Sequence, residues 1–346
     1  MNAEPAFPPL ADRLHAYCQS AFPDRQAVAV RAVEKLPSGW ESELYAFRLE
    51  HGPEASRRRE ALVLRLYAGD HAGDKAAHEF DSLRRLRQAG YPVPQAFVLE
   101  RDQVPLGRPF VLMERVYGRS LFEVLFEAES SSRQNLLDQF CRLFVRLHRL
   151  DWGAFVDEAE RARFADPCYP IDRWFAIAEQ AVTAFDPIDF RPYLDWLGER
   201  RAALACPRPS PVHWDYHPNN VLLQENGNLV VIDWTGFRVT DPRHDLAWAL
   251  MLADAYLGED WRALILEGYE RASGAHVDQI EAFEVCACLR RLYNLGVSML
   301  AGPKRQGMLP ETIERMKADR PAHRRVYARL VRHTGLRAPE LKRLFG

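Results

Sequence analysis

Residues 213–223 read HWDYHPNNVLL and place a dense group of polar side chains immediately before a short apolar run. Hydrogen bonds within a turn would account for any one of these side chains, because Asp and Asn often bond the nearby backbone. The whole set is larger than a turn requires, which indicates that this stretch carries chemistry. The polar residues are His213, Asp215, His217, Asn219 and Asn220.

A predicted β-hairpin follows this loop. The apolar runs NVLLQ and NLVVIDW flank the turn ENGN, whose Asn-Gly pair is typical of a tight hairpin. Hairpin pairing would bring Asn220, at the start of the first strand, and Asp233, at the end of the second, to one end of the sheet. An amide oxygen and a carboxylate suit Mg²⁺, which takes few protein oxygens. Asp215 then remains available as a base.

The same stretch also fits a different kind of metal site. His213, Asp215 and His217 form the pattern HxDxH, which resembles the ligand set of a metallohydrolase. A transition-metal site would normally recruit further His or Asp ligands, and the other histidines have no ligand-like spacing. The magnesium site is therefore favoured, and the metallohydrolase is the alternative.

Three motifs follow one another between residues 213 and 247, namely HWDYHPNN, VVIDWTG and DPRHDLA. They resemble motifs of the aminoglycoside phosphotransferase and choline kinase branch of the protein-kinase-like fold. In that family the motifs are the catalytic loop, a metal-binding Asp after an apolar strand, and an Asp in the pattern DPxxDLA. Three motifs in order are a more specific signal than the loop alone.

The resemblance implies an α+β, bilobal protein-kinase-like fold. A small N-terminal nucleotide-binding lobe, residues 1–115, would contain a five-stranded antiparallel sheet and one helix. A larger, mostly helical C-terminal lobe, residues 116–346, would carry catalysis and substrate binding.

The periodicity of the first half agrees with this expectation, because it has β-type runs on both sides of one helical run. From Gly118 onward the pattern is helical, apart from about residues 211–236. A short helix is predicted around residues 11–18. The later runs are AVAVRAV (27–33), ELYAFRLE (43–50), ALVLRLY (61–67), the helical AAHEFDSLRRLRQAG (76–90), AFVLE (96–100) and PFVLMERV (109–116).

The resemblance implies that the first half holds the phosphates of ATP. Arg65 lies on the third predicted strand, where kinases usually carry Lys, and Glu79 lies on the following helix as its acidic partner. Taken singly, both residues could be ordinary surface charges. The loop LPSGWESELY has only Gly39 where protein kinases have a glycine-rich run, so backbone amides and the hydroxyls of Ser38 and Ser42 are candidate phosphate donors. A simple hairpin turn is the alternative for each serine.

The segment FVLMERVYG (110–118) resembles the fifth strand and hinge of the family. By this likeness Met113 is the gatekeeper, and the backbone of Glu114 and Val116 hydrogen-bonds adenine. The expected cofactors are therefore ATP and Mg²⁺.

The function implied is transfer of the γ-phosphoryl group of ATP to a hydroxyl of a small molecule. Asp215 would be the catalytic base, and Asn220 and Asp233 would hold the metal. Asp245 would anchor the catalytic loop, and His213 would orient it. The alternative is a catalytically weak nucleotide-binding pseudokinase that acts through a partner. Retention of the base and both metal ligands argues against that alternative.

Two departures from the family pattern limit what can be said of the acceptor. Trp214 replaces the usual Gly before the base, which narrows or reshapes the acceptor pocket, and Thr235 stands where relatives often have Gly or an acid. Thr235 makes a second metal less secure than the first. An aminoglycoside, an amino alcohol, a sugar or a related metabolite all remain candidates.

The charged and aromatic residues of the chain also bear on the class of acceptor. Aminoglycosides are polycations, yet residues 304–346 contain twelve Lys or Arg against four Asp or Glu, which argues weakly against them. A choline-like substrate would need an aromatic or acidic cage. The aromatic candidates for such a cage are Trp152, Trp174, Tyr193, Trp196, Trp248 and Tyr256.

The overall composition excludes some classes of partner. With 46 Lys and Arg against 48 Asp and Glu, the net charge of −2 predicts neither nucleic acid nor an anionic membrane as partner. No stretch approaches eighteen uncharged apolar residues, so a cytoplasmic protein is expected. The six cysteines are scattered without a CxxC pair, which predicts reduced thiols. The sequence does not indicate an oligomeric state.

Overall fold

The computed structural model describes residues 9–37, 42–185, 187–306, 308–310 and 312–345. The chain forms two compact units. The first comprises Met1–Tyr117 with Gly307–Leu309, and the second comprises Gly118–Gln306 with Pro310–Gly346.

The first unit is built on a five-stranded antiparallel sheet. Its strands are β1 (Ala29–Lys35), β2 (Ser42–His51), β3 (Arg58–Tyr67), β4 (Ala96–Glu100) and β5 (Phe110–Glu114). They lie in the order β1-β2-β3-β5-β4. The longest pairing, between β2 and β3, keeps one register from Ser42 opposite Tyr67 to His51 opposite Arg58. The predicted five-stranded antiparallel sheet is confirmed.

Two helices belong to this unit, α1 (Leu10–Ala21) and α2 (Ala72–Gln88). The helix α1 packs Leu14 and Cys18 into the core cluster of the sheet, and neither side chain is exposed. The helix α2 begins four residues earlier than the predicted run and buries Glu79 together with Leu83 and Leu86. A charged residue in a buried stripe needs a partner, because an unpaired buried carboxylate is costly.

The second unit is mostly helical, as predicted. Its long helix α10 (Ile280–Ala301) packs against α8 (Pro242–Leu257) and α12 (Arg320–Thr334). The helix α4 (Ser130–His148) packs against α9 (Glu259–Ser273). The helices are α3 (Leu121–Glu127), α4 (Ser130–His148), α5 (Glu158–Arg163), α6 (Tyr169–Ala184), α7 (Arg191–Gly198), α8 (Pro242–Leu257), α9 (Glu259–Ser273), α10 (Ile280–Ala301), α11 (Thr312–Ala318), α12 (Arg320–Thr334) and α13 (Pro339–Phe345).

Short strands interrupt the helices of the second unit and carry its loops. The predicted hairpin is confirmed, with Val221 opposite Val231 and Leu223 opposite Leu229 across β8 and β9. A third strand, β6, extends this sheet, while β7 pairs separately with β10. The strands are β6 (Arg119–Ser120), β7 (Ser210–Val212), β8 (Val221–Leu223), β9 (Leu229–Val231) and β10 (Arg238–Thr240).

Within the described parts of the chain, no helix combines the length and apolarity needed to cross a membrane. All six cysteines are free thiols.

Candidate active site

The loop between β7 and β8 is tied to the start of α8 by one buried carboxylate. Asp241 caps α8 by accepting the Arg243 N–H at 2.9 Å, and Pro242 occupies the first helical turn. This start places Asp245 in the first turn with no exposed surface. Its Oδ2 accepts the His213 backbone N–H at 2.7 Å, and its Oδ1 accepts the Trp214 backbone N–H at 2.8 Å. The two bonds fix the direction in which the loop leaves β7.

The His213 ring links the same loop to the end of β9. Its Nδ1 accepts the backbone N–H of Asp215 at 3.2 Å, so its Nε2 carries the proton that is donated to the carbonyl of Ile232 at 2.9 Å. The imidazole is unexposed. His213 therefore holds the loop in shape and is turned away from solvent.

The Asp215 carboxylate is held by three neighbours and remains accessible. The Trp248 indole Nε1 donates to Oδ1 at 2.6 Å, while Asn220 Nδ2 lies 3.3 Å and His217 Nε2 lies 3.5 Å from Oδ2. The side chain is 41 % exposed. A carboxylate that is both oriented and open can approach a hydroxyl of a bound molecule.

The charges around Asp215 keep it ionised. Its burial among protein atoms raises its pKa, but the neighbouring His217, Arg290 and His213 side chains outweigh this effect and lower the pKa below the ordinary value for Asp. The carboxylate can therefore accept a proton at neutral pH, although only as a weak base.

Asn220 and Asp233 provide the oxygen atoms expected of a magnesium site. Asn220 Nδ2 donates to the carbonyl of Asp215 at 2.9 Å, and within the described residues its Oδ1 makes no hydrogen bond. The Ile232 N–H donates to the carbonyl of Asn220 at 2.9 Å, so the strand pairing brings the residue before Asp233 next to Asn220. Thr235 Oγ1 donates to Asp233 Oδ1 at 3.3 Å. A free amide oxygen and a carboxylate fit a hard cation.

Asp233 has a left-handed backbone, with φ of +66°. Such strain in a non-glycine residue is typical of functional positions. No group of three or more His, Cys, Asp or Glu side chains within the described ranges is arranged to hold a metal.

In the first unit, the buried carboxylate of α2 is paired with side chains of β3. Arg65 Nη1 donates to Glu79 Oε1 at 2.9 Å, and the Tyr67 hydroxyl donates to Oε2 of the same carboxylate. Arg65 is 8 % exposed and Glu79 is 1 % exposed. The carboxylate therefore fixes the guanidinium from one side. Tyr67 was not identified from the sequence as a partner of Glu79. It lies two residues after Arg65, and its side chain is therefore on the same face of the strand.

The predicted hinge lies at the end of β5. Met113 is buried, and the Glu114 N–H donates to the carbonyl of Gln95 at 2.8 Å. The Glu114 N–H is therefore already hydrogen-bonded to the residue that precedes β4. In the described chain, Val116 makes no backbone hydrogen bond.

The predicted phosphate loop is only partly described. Ser38 and Gly39 lie outside the described residues. Ser42 begins β2 and is 1 % exposed, and its Oγ has no hydrogen-bond partner in the described part of the protein. A hydroxyl buried to this extent is not presented to a phosphate.

Trp214 stands in a backbone conformation that normally belongs to glycine. Its φ is +72°, in the left-handed region that a large side chain rarely adopts. Arg290 Nη1 donates to its carbonyl at 2.7 Å, and Asp245 accepts its N–H. A Cβ at Gly236 would lie 2.9 Å from the Trp214 Cβ, so the glycine makes room for this tryptophan. The departure from the family pattern is therefore accommodated by specific neighbours.

Two further residues at the loop were not identified from the sequence. Trp248 was one of several unplaced aromatic residues, yet it lies three positions after Asp245 on α8 and so on the same face. That spacing could have indicated its role. Arg290 comes from α10, and no local signal connects it with the loop.

The comparisons with known proteins agree with this geometry. The model of a family described as "Phosphotransferase enzyme family" matches residues 32–283. No curated protein sequence matches the chain.

Several solved structures share the fold. One is a Ralstonia eutropha JMP134 protein provisionally described as an aminoglycoside phosphotransferase, with a TM-score of 0.64 and 18 % identity over 93 % of this chain and 98 % of that one. Another is aminoglycoside phosphotransferase APH(4)-Ia, with a TM-score of 0.58 and 17 % identity over 93 % and 99 % of the two chains. A thermostable mutant of that enzyme forms a ternary complex with AMP-PNP and hygromycin B, and matches with a TM-score of 0.58 and 17 % identity over the same shares, 93 % and 99 %. At such identities the likeness concerns the fold.

Proposed function

Since the chain belongs to the phosphotransferase enzyme family, we propose that it transfers the γ-phosphoryl group of ATP to a hydroxyl of a small molecule. The observation that carries the proposal is the Asp215 carboxylate, which is ionised, partly exposed and oriented by Trp248 and Asn220. A hydroxyl that approaches this carboxylate is positioned for in-line attack and can pass its proton to Oδ2.

The low pKa of Asp215 suits this role. The transition state of phosphoryl transfer is loose, with little bond formation to the attacking oxygen, so the base need not remove the proton early. Asp215 mainly orients the hydroxyl and accepts the proton once the oxygen–phosphorus bond has formed. Asn220 keeps the carboxylate in place through its contacts with the carbonyl and Oδ2.

We assign Asn220 Oδ1 and the Asp233 carboxylate as the protein ligands of Mg²⁺. When bound, the ion neutralises charge on the transferred phosphoryl group and its leaving group. Thr235 orients one Asp233 oxygen through its hydroxyl.

We assign nucleotide binding to the first unit; the APH(4)-Ia mutant, which shares the fold, forms a complex with the nucleotide AMP-PNP. Arg65, fixed by Glu79 and Tyr67, would hold the α- and β-phosphates. The carbonyl of Glu114 and the backbone of Val116 would bond adenine beside Met113. In this proposal residues 1–115 form the nucleotide lobe and residues 116–346 the catalytic and acceptor lobe.

Binding of ATP should depend on magnesium and on Asp233. We expect Mg²⁺ with ATP at about 100 times its Kd to raise the melting temperature by roughly 5 °C, and ATP with EDTA to raise it much less. Asp233→Asn should lose the magnesium-dependent part of the shift, because the amide is a weaker ligand. Glu225→Gln, which alters an exposed acid in the turn between β8 and β9, is the matched control. A magnesium-independent shift, together with no ADP release on any acceptor, would favour the pseudokinase instead.

The buried pair on β3 and α2 should govern the KM for ATP. Glu79→Gln keeps the shape but removes the charge that holds Arg65, so we expect KM for ATP to rise about tenfold, equivalent to ~1.4 kcal/mol. Tyr67→Phe removes one hydrogen bond and leaves the ion pair, so its effect should be smaller. Steady-state ADP release measures both, with the exposed Glu54→Gln as control. An unchanged KM in Glu79→Gln would show that Arg65 does not contact the nucleotide.

A further inference from the structure

The second unit contains a cavity of about 230 Å³ beside the residue that precedes the proposed base. The Trp214 ring forms part of its wall, and Trp174, Phe190 and Tyr293 contribute aromatic surface. Ligand pockets typically measure about 300–1,000 Å³, so this cavity suits a small molecule with an apolar body. Asp215 directly follows Trp214 in the chain, which makes the cavity a candidate site for the acceptor.

The charges in the cavity wall are of one sign. Arg173, Arg238 and Arg290 line it, and among the described residues of the wall there is no Asp or Glu. Arg173 is paired outside the wall with Glu160 at 2.5 Å. Such a wall repels cations and attracts anions.

Arg238 is the guanidinium best placed to receive an anion. Its Nε donates to the carbonyl of Gly236 at 3.1 Å, and its Cζ lies 4.1 Å from the centre of the Trp214 ring. Within the described chain it has no carboxylate partner. A guanidinium stacked on an aromatic ring still presents its edge, where two N–H groups match the two oxygens of a carboxylate.

The electrostatics of Arg238 support this assignment. Burial lowers its pKa to about 9. The positive charges of Arg290 and Arg173 contribute to this lowering, and the Asp245 carboxylate partly opposes them. At pH 7 it therefore still carries its charge, in surroundings that disfavour that charge. An anion bound at this point would relieve the repulsion.

We propose that this cavity binds the acceptor, and that the acceptor is an apolar alcohol bearing a carboxylate that pairs with Arg238. The proposal rests on the function proposed above, since the neighbouring Asp215 would act on the hydroxyl of the bound molecule. The apolar body packs against the aromatic wall, while the carboxylate fixes which end of the molecule faces the base.

The same wall argues against the cationic acceptors considered from the sequence. An aminoglycoside would bring ammonium groups towards three guanidiniums, and this like-charge contact is unfavourable. A choline-like cation would need a free aromatic face. The guanidiniums of Arg238 and Arg290 already lie over the Trp214 ring, at 4.1 and 4.8 Å. Of the six aromatic residues considered for a cage, only Trp174 lines the cavity.

Two series of alcohols that differ in charge test the proposal. The first is para-hydroxymethyl benzoate, its methyl ester and para-hydroxymethyl benzylamine. The second is omega-hydroxyhexanoate, its methyl ester and aminohexanol, with hygromycin B as a polycation. Thermal shift measures binding without turnover, and ADP release with Mg²⁺-ATP measures transfer, with Asp215→Ala as the blank. We expect a carboxylate to bind and react at least tenfold better than its matched ester and amine.

The variant Arg238→Met tests whether Arg238 causes the preference for a carboxylate. Methionine keeps apolar volume but removes the charge, so the preference for the acid over its ester should fall about tenfold or more. This change should appear in the KM for the acceptor. Arg200→Met is the matched control, because Arg200 stacks on Trp196 at 3.8 Å and does not line the cavity. That control should keep the preference.

The outcomes separate the two proposals. A preference for the amines or hygromycin B, or an acid preference that survives in Arg238→Met, overturns the carboxylate assignment while phosphotransfer stands. No shift with any member of either series also overturns it. ADP release from every acceptor that equals the Asp215→Ala blank, together with a magnesium-independent thermal shift with ATP, overturns the proposed function. A carboxylate-dependent thermal shift that is lost in Arg238→Met would still support the anion site.

Discussion

Asp215→Asn is expected to lower turnover by about 10²- to 10⁴-fold while leaving the affinity for Mg²⁺-ATP nearly unchanged. The carboxylate orients the acceptor hydroxyl and takes its proton, whereas an amide offers a single acceptor oxygen and cannot take the proton. The amide also cannot satisfy both neighbours, because Trp248 and Asn220 each donate to a different oxygen of Asp215. One of these donors would face the new NH₂ group. Single-turnover ADP formation and nucleotide titration measure the two effects separately.

The control for this variant is Glu225→Gln, which removes an exposed carboxylate of the same unit and should retain full turnover. Asp215→Ala should resemble Asp215→Asn in turnover. Wild-type turnover in either variant, on an acceptor that the native enzyme phosphorylates, would contradict the assignment of the base.

The pH profile of the native enzyme gives a second readout of the same residue. His217, Arg290 and His213 lower the pKa of Asp215 below its ordinary value. A group with a lowered pKa loses its charge only as the pH falls through that lowered value. Protonation of Asp215 should therefore reduce kcat only well below about pH 4, the ordinary pKa of Asp. A loss of kcat near pH 6 must therefore come from the titration of a group other than Asp215.

Asp245→Asn is expected to reduce both stability and turnover. Asp245 is fully buried and accepts the backbone N–H groups of His213 and Trp214 at 2.7 and 2.8 Å. An Asn side chain has one acceptor oxygen, so one of these N–H groups would face an NH₂ group without a partner. We expect a loss of about 2–4 kcal/mol in unfolding free energy, measured by urea denaturation. Turnover per folded molecule should fall more than tenfold, because the loop that carries Asp215 loses an anchor.

The control separates this anchoring from a general effect of helix charge. Asp260 lies in the first turn of α9, as Asp245 does in α8, but it is exposed. Asp260→Asn removes the same favourable interaction with a helix N-terminus, worth about 0.3–1 kcal/mol. If Asp245→Asn lost stability yet kept full turnover per folded molecule, Asp245 would be a structural residue without influence on the base.

Much of the fold followed from local patterns. The turn ENGN between two apolar runs predicted the β8–β9 hairpin, because Asn-Gly favours the backbone that such a turn requires. The β-type runs before Gly118 predicted the five strands of the first unit. Arg65 and Glu79 were paired by their order in the family, and the structure joins them at 2.9 Å. The predicted phosphate donor Ser42 is buried at the start of β2, where it pairs with Tyr67 of β3.

The loop HWDYHPNNVLL shows what the sequence by itself determined and what it could not. The sequence determined the residue types, their order on the hairpin and the closeness of the proposed base to the proposed metal ligands, because these depend on turns and on strand pairing between near neighbours. Only the tertiary structure brought Trp248 to Asp215, 33 positions away, and Arg290 to Trp214, 76 positions away.

The physical reason is that such contacts depend on how whole helices pack. The indole on α8 and the guanidinium on α10 reach the loop because those two helices lie side by side in the second unit. No local periodicity records that arrangement. The cavity wall has the same origin, since Arg173, Arg238 and Arg290 come from α6, β10 and α10. Its charge, and with it the proposed class of acceptor, exists only once these elements are packed together.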